Sequence, residues 1–303
     1  MKYLQRPVFY FLFLFLFGFV HQSFPQDCNC PDYYKFKAEQ KEKDADSKPF
    51  IEKLLGSSNT ICQARGNEWM ASDYLSERNF DTSDIYFHKA EKLYKQSGCN
   101  DSVFLNLYKK WAELYYIKSD FAKTQEYCFK LLESAKASGD PHETGTAYTM
   151  IAQVLNQTGQ AEKGIIYSRL AVPLVKKIAD PAGKADLLYK LSKRYLWHYQ
   201  DTKSETSLDS SELFSIQQLA IARQINNNNS ISKAFNNLQG VAWEKADFKK
   251  AIEFLDSSFR YTEPDDISTI STNYFDKADL YIELKNYKAA AIMADSALHY
   301  RQL

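Results

Sequence analysis

The chain has 303 residues, and its 38 Lys+Arg balance 38 Asp+Glu to a net charge of zero, so no global field draws it to nucleic acid or an anionic membrane. Ten Gly and eight Pro are too few for a loop-rich all-β or collagen-like chain, whereas 21 Tyr and 20 Phe suit long, tightly packed helices. In chain order, residues 1–26 read first as an export signal: Lys2 and Arg6 precede an apolar run from Val8 to Val20, and a spanning helix needs about 20 such residues. Cleavage is expected between Ser23 and Asp27, with an uncleaved amino-terminal anchor as the alternative. Neither Cys28 nor Cys30 follows the Leu-small-small run of a bacterial lipoprotein, so no lipid anchor is expected. Residues 27–58 read as a helical cap, with a charged helix over 32–46 and a short one over 49–55.

From residue 59 onward the chain repeats. A small residue recurs at Ala71, Ala112, Ala152, Ser192 and Ala278, with Gln239 filling the slot once. Three residues after each slot come Tyr74, Tyr115, Leu155, Tyr195, Ala242 and Tyr281, and nine after come Phe80, Phe121, Ala161, Phe248 and Tyr287. A small residue lets a second helix approach closely, and an aromatic ring one turn on fills the space beside that contact. Breakers split each unit into two helices, as at Lys118 to Asp120, Thr158 to Gln160, Ala246–Asp247 and Lys285–Asn286. A pair with an apolar face left over must stack on its neighbours.

These columns, most fully Ala234 to Phe254 and Ala278 to Ala290, resemble tetratricopeptide repeats. The resemblance implies an all-α, right-handed superhelical solenoid of about six helical hairpins, with units near 59–99, 100–139, 140–180, 181–226, 227–264 and 265–303. The period is near 40 instead of the consensus 34, so each helix is expected to be longer by most of a turn. The interval after Ser192 is 47, and the extra residues are expected as a polar loop within Gln200 to Ser210. The chain stops inside the expected second helix of the sixth unit, either as a fragment or with that helix as its own cap. Exported relatives with long repeats suggest the sensor half of a membrane-bound signalling protein, a membrane contact then arising only through a carboxy-terminal part not present here or an uncleaved signal.

Chemistry is sparse. His142–Glu143 lacks the second His of a zinc-protease helix, and no phosphate loop, nucleophile elbow or Cys-x-x-Cys pair occurs. Asp265–Asp266 lacks the remaining ligands of a calcium loop. The pairs Lys109–Lys110, Lys176–Lys177 and Lys249–Lys250 read as solvated helix faces. The expectation is a non-enzyme without cofactor, metal or nucleic-acid partner. Among the cysteines, Cys128 is expected to be a buried small side chain. A Cys62–Cys99 disulfide is predicted because an antiparallel hairpin brings those positions together, with Cys28 and Cys30 as competing partners.

The repeat register places a groove on the first helices: Trp69 in unit one; Asn106, Lys109, Glu113 and Tyr116 in unit two; Thr149 and Gln153 in unit three; Tyr189, Lys193 and Trp197 in unit four; Asn236 and Trp243 in unit five. Trp111 falls in the packed column. Trp and Tyr are favoured anchors because they bury much area with little rotamer entropy to lose. The resemblance also brings in the carboxylate clamp of chaperone-binding members, in which a Lys is followed four residues later by Asn. Here Lys109 is followed by Glu113, so that ligand is not transferred, and an extended segment with apolar side chains and mixed charge is expected. The reading is a periplasmic or cell-envelope scaffold for a protein or peptide partner, in signalling or in assembly of an envelope complex. A glycan-binding helical protein of a surface uptake system is the alternative.

Overall fold

The computed structural model describes residues 28–43 and 45–302, so the export signal expected over 1–26 lies outside the described residues. An amino-terminal pair, α1 (Pro31–Lys43) and α2 (Lys48–Leu55), precedes six hairpins. These are α3 (Thr60–Ser76) with α4 (Phe80–Gln96), α5 (Phe104–Ile117) with α6 (Phe121–Ser138), and α7 (Pro141–Gln157) with α8 (Ala161–Ala171). Then come α9 (Pro181–Thr202) with α10 (Glu205–Gln224), α11 (Asn228–Glu244) with α12 (Phe248–Tyr261), and α13 (Ile267–Glu283) with α14 (Tyr287–Arg301). The molecule is an all-α solenoid of stacked helical hairpins.

The sequence columns have a backbone meaning. Seven residues after five of the six slots the chain turns left-handed, at Arg78 (φ 61°), Ser119 (58°), Gly159 (72°), Ala246 (57°) and Lys285 (56°). The next residue's N–H returns to the carbonyl of the aromatic column, as in Asn79 to Tyr74 (2.8 Å), Asp120 to Tyr115 (2.9 Å) and Asn286 to Tyr281 (2.8 Å). This closes the first helix as a Schellman motif. The same residue caps the second helix: Asn79, Asp120, Asp247 and Asn286 each accept the N–H three residues on. Stop and start are thus written in two adjacent positions. At the slot itself the helices touch: Ser83 donates to the Ala71 carbonyl at 2.7 Å, and a Cβ on Gly164 would lie 3.0 Å from the Ala152 carbonyl.

Two hairpins depart from the pattern. Pro173 ends α8 in a 3₁₀ stretch over Val172–Lys177, because proline cannot supply the N–H that would continue the helix. In the fourth hairpin the polar loop expected at Gln200 to Ser210 is not a loop. Only Lys203 and Ser204 lie between helices; α9 absorbs the insertion by running 22 residues and α10 by running 20. Buried Leu208 and a Ser207–His198 hydrogen bond of 2.9 Å anchor that stretch to α9.

The predicted Cys62–Cys99 disulfide does not form. Cys99 pairs with Cys28 and Cys62 with Cys30, with Cα separations of 5.6 and 5.2 Å. The two hairpin ends are near enough for both to reach the segment before α1, and that segment bridges them. Cys128 is a buried free thiol. The cap also changes the fate of Trp69. Tyr33 meets its ring edge-on at 5.8 Å, Lys37 Nζ lies 3.7 Å from the ring centre, and Trp69 is only 2% exposed. The first unit's inward face is therefore covered by α1.

Candidate functional site

Consecutive first helices α5, α7 and α9 enclose a cleft of about 240 Å³, floored by α6. Lys109, Glu113 and Tyr116 come from α5, Met150 and Gln153 from α7, and Lys190 from α9; Ala112, Val154 and Cys128 make an apolar floor. Burial pushes the Cys128 thiol up to about 12, so it stays protonated at neutral pH.

The charges at one end of the cleft are mutually paired. Lys109 donates to Glu143 at 2.9 Å, His142 Nε2 meets Asp186 at 2.8 Å, and Lys190 donates to Asp186 and, at 3.1 Å, to Thr146. Hydrogen bonds to Asp186 and Glu143 raise the His142 pKa to about 9 against the opposing effect of burial. Burial pushes Glu143 upward, but the His142 hydrogen bond and the Lys109 charge outweigh it and hold the carboxyl near about 2. Asp186 is likewise held well below the usual carboxylate range by His142 and Lys190. This network ties together hairpins two, three and four.

One cation is different. Arg194, one turn beyond Lys190 on α9, is 5% exposed, and its guanidinium carbon lies 3.9 Å from the centre of the Trp197 ring. Its Nη1 is buried without a hydrogen-bond partner, and no described carboxylate pairs with it. Burial lowers its pKa to about 10, with Tyr116 across the cleft and Tyr189 on α9 as the groups that partly offset this, so it remains charged at neutral pH.

Of the sequence-predicted residues, Lys109, Glu113, Tyr116 and Gln153 line the cleft together. Tyr189, Lys193 and Trp197 lie beside it on α9, Lys193 Nζ being 5.6 Å from the Trp197 ring. The others do not join. Asn106 is exposed and hydrogen-bonded to Glu68. Thr149 is 2% exposed and donates to the Thr146 carbonyl, because its position faces the packed interior of α7. Trp69 lies under α1. Trp243 packs edge-on against Phe248 at 5.9 Å, within the apolar cluster between hairpins five and six. Asn236 is half-buried on α11, and its Oδ1 has no partner.

Lys190 and Met150 were missed by the register. Around slots two to five it drew mostly on positions three before and one after, with Asn106, Tyr116, Trp197 and Trp243 farther out, whereas the cleft is also lined two before and two after. In hairpin three those positions are apolar (Met150, Val154), and in hairpin four the position two before is the cation Lys190. A larger cavity of about 760 Å³ opens between Ser138 to His142 and Ile178 to Asp186. Its Asp140 and Asp180 are occupied as helix caps, accepting N–H groups of His142, Glu143, Ala182 and Gly183.

No protein-family model and no curated sequence matches the chain. Solved structures do. The Rap protein complexed with Competence and Sporulation Factor superposes with a TM-score of 0.60 at 12% identity, covering 89% of this chain and 85% of that one. NprR in complex with its cognate peptide NprX gives 0.57 at 12% identity over 88% and 77%. The signal-transduction ATPase with a tetratricopeptide repeat sensor from Pyrococcus horikoshii gives 0.63 at 17% identity, covering 88% of this chain and 41% of that one. The fold is that of tetratricopeptide-type helical repeats.

Proposed function

We propose that the chain is a non-catalytic scaffold that receives an extended peptide or protein segment in the cleft of α5, α7 and α9. The observation that carries this is the site's composition: an apolar floor of Ala112, Val154 and Cys128, the aromatic wall of Tyr116, and a polar rim of Lys109, Glu113, Gln153 and Lys190. Such a lining suits a peptide, whose apolar side chains bury on the floor and whose backbone offers both donors and acceptors to the rim. Similar folds solved with peptides, in NprR with NprX, support the class of ligand. The apolar leader and two disulfides support an exported, periplasmic or envelope location, where thiols oxidise. Likeness to a repeat sensor supports a role as the sensing part of a signalling protein.

The test is panning of random octapeptides on the folded chain. Gln153→Trp, which fills the cleft, and Tyr116→Ala are expected to weaken selected peptides at least about tenfold, a loss of about 1.4 kcal/mol. Lys249→Ala on an exposed face is expected to change nothing. Equal binding to the Gln153→Trp variant would refute the cleft as the site.

A further inference from the structure

We infer that the outer face of the sixth hairpin receives a second copy of this chain, with the two α14 helices antiparallel across a two-fold axis. This surface is separate from the cleft and does not depend on it.

In a stacked repeat, each hairpin buries one face on the hairpin before it and offers the other to the hairpin after it. Hairpin five shows what the second face is for. Leu255 on α12 is fully buried in the cluster that holds Leu280 of α13, and the Phe259 ring lies 4.7 Å from that of Tyr274. Counted from the slots Gln239 and Ala278, Leu255 and Phe259 stand where Ala294 and Leu298 stand in hairpin six. There the positions stay apolar, yet nothing lies on them among the described residues. Tyr287 (66% exposed), Ala291, Ala294 and Leu298 (57%) follow one another at spacings of four, three and four, which keeps them on one face of α14. Phe275 and Ile282, two turns apart on α13 and both half-exposed, widen that face. A contiguous apolar face of this kind marks an interaction surface.

The stripe itself identifies the occupant. Read from either end it runs large, small, small, large at the same spacings. A two-fold axis between Ile292 and Met293 sets Tyr287 against the partner's Leu298 and Ala291 against the partner's Ala294. The alanines let the helix axes close to about 8 Å, and the large side chains fill the two ends. Charge obeys the same symmetry. Lys288 and Asp295, both exposed, lie two turns apart along one edge of the stripe. The rotation keeps them on that edge and exchanges their order, so each Lys288 comes beside the partner's Asp295. An unrelated partner requires no such relation between the two ends of one helix, whereas a second copy does. Head-to-tail stacking fits poorly, because the other end of the solenoid is α1, whose exposed Asp32, Lys35, Lys41 and Glu42 would lose their water. Fifteen residues make α14 about 22 Å long, so a face two helices wide lies at the low end of stable interfaces. The dimer is expected with a Kd on the order of 10 µM.

Sedimentation equilibrium of the folded chain over roughly 1–200 µM brackets that value and is expected to show monomer and dimer and nothing larger. Ala294→Glu puts a charge at the centre of the contact and is expected to weaken association more than about 30-fold. Lys288→Glu and Asp295→Lys are each expected to weaken it about 3- to 10-fold, because each creates two like-charge pairs. Mixed one to one, these two variants should regain parent-like association, since one then brings two acidic side chains to the edge and the other two basic ones. Recovery in the mixture can come only from contact between copies. All three substitutions change exposed side chains and should leave the helical circular dichroism of the parent unchanged. A parent that stays monomeric throughout, or a dimer indifferent to all three substitutions, would overturn the inference. Association that runs past the dimer would make the contact head-to-tail, and single variants that weaken it without recovery in the mixture would remove the antiparallel α14 pair.

Discussion

His142 shows how far a single side chain's surroundings decide its role. On sequence it looked like half of a metal motif; in the fold it is the middle of a charge bridge between α7 and α9. Its ring bonds Asp186 at 2.8 Å and its pKa rises from 6.5 to about 9. A raised folded-state pKa means that the folded chain binds the proton more tightly than the unfolded chain. The contribution is therefore complete below about 6.5 and lost as pH rises through about 9. Asp186 is partly exposed, so solvent screening reduces the contribution to roughly 1–2 kcal/mol. Glu143, held near about 2, works in the opposite window: its contribution is present above 4.5 and fades as pH falls toward 2. Urea midpoints of the parent are expected to decline between pH 6.5 and 9, and His142→Gln should flatten that decline. Parallel pH profiles for the two proteins would show that the bridge does not stabilise the fold.

At the scale of the helix, the hairpin turn is the unit that this sequence encodes most plainly. The left-handed residue recurs in five of the six hairpins and the capping side chain after it in four, yet Gly occupies the left-handed position only at Gly159. A non-glycine residue there carries Cβ strain of about 1–2 kcal/mol, partly returned by a less floppy unfolded chain. Ala246→Gly is accordingly expected to stabilise by about 0.5–1 kcal/mol. In hairpin three the deficiency is reversed: Gly159 is present, but Gln160 makes no capping bond to α8. Gln160→Asp should gain about 1 kcal/mol. Thermal melts of both variants check this, and destabilisation by Ala246→Gly would mean that the turn is held by something other than its own φ. The same regularity explains what could be read beforehand. Helix stops, caps and the small-residue contact are local and periodic, so the columns at Ala71, Tyr74 and Phe80 carried them. Packing against a non-repeated element is neither local nor periodic. No spacing in the sequence announces that α1 covers Trp69, that Cys28 and Cys30 reach the two ends of the first hairpin, or that Trp243 turns into its own core. Lys190 was hidden for a related reason, since its position belongs to the wall between two units.

Across the whole molecule, the apolar core is continuous from the cap to hairpin three and then divides into smaller clusters, as expected where each unit touches only its neighbours. The two disulfides sit at one end of this line and span 71 and 32 residues. Closing loops of that length restricts the unfolded chain by roughly 3–5 kcal/mol each, less in sum because the loops overlap. That restriction acts on the cap and first hairpin directly and on distant hairpins only through stacking. A variant with Cys28, Cys30, Cys62 and Cys99 all changed to Ser is expected to lose amide-exchange protection first in α1, α2 and α3. Protection in α9 and α11 should fall far less, and the cleft should keep its peptide affinity within about threefold, under 1 kcal/mol. Trp69 supplies a second readout, because loosening α1 removes Lys37 and Tyr33 from its ring and shifts its emission toward that of a hydrated indole. If instead all hairpins lost protection together, the solenoid would be folding as one cooperative body, and the cap would be as necessary to the cleft as the cleft's own helices.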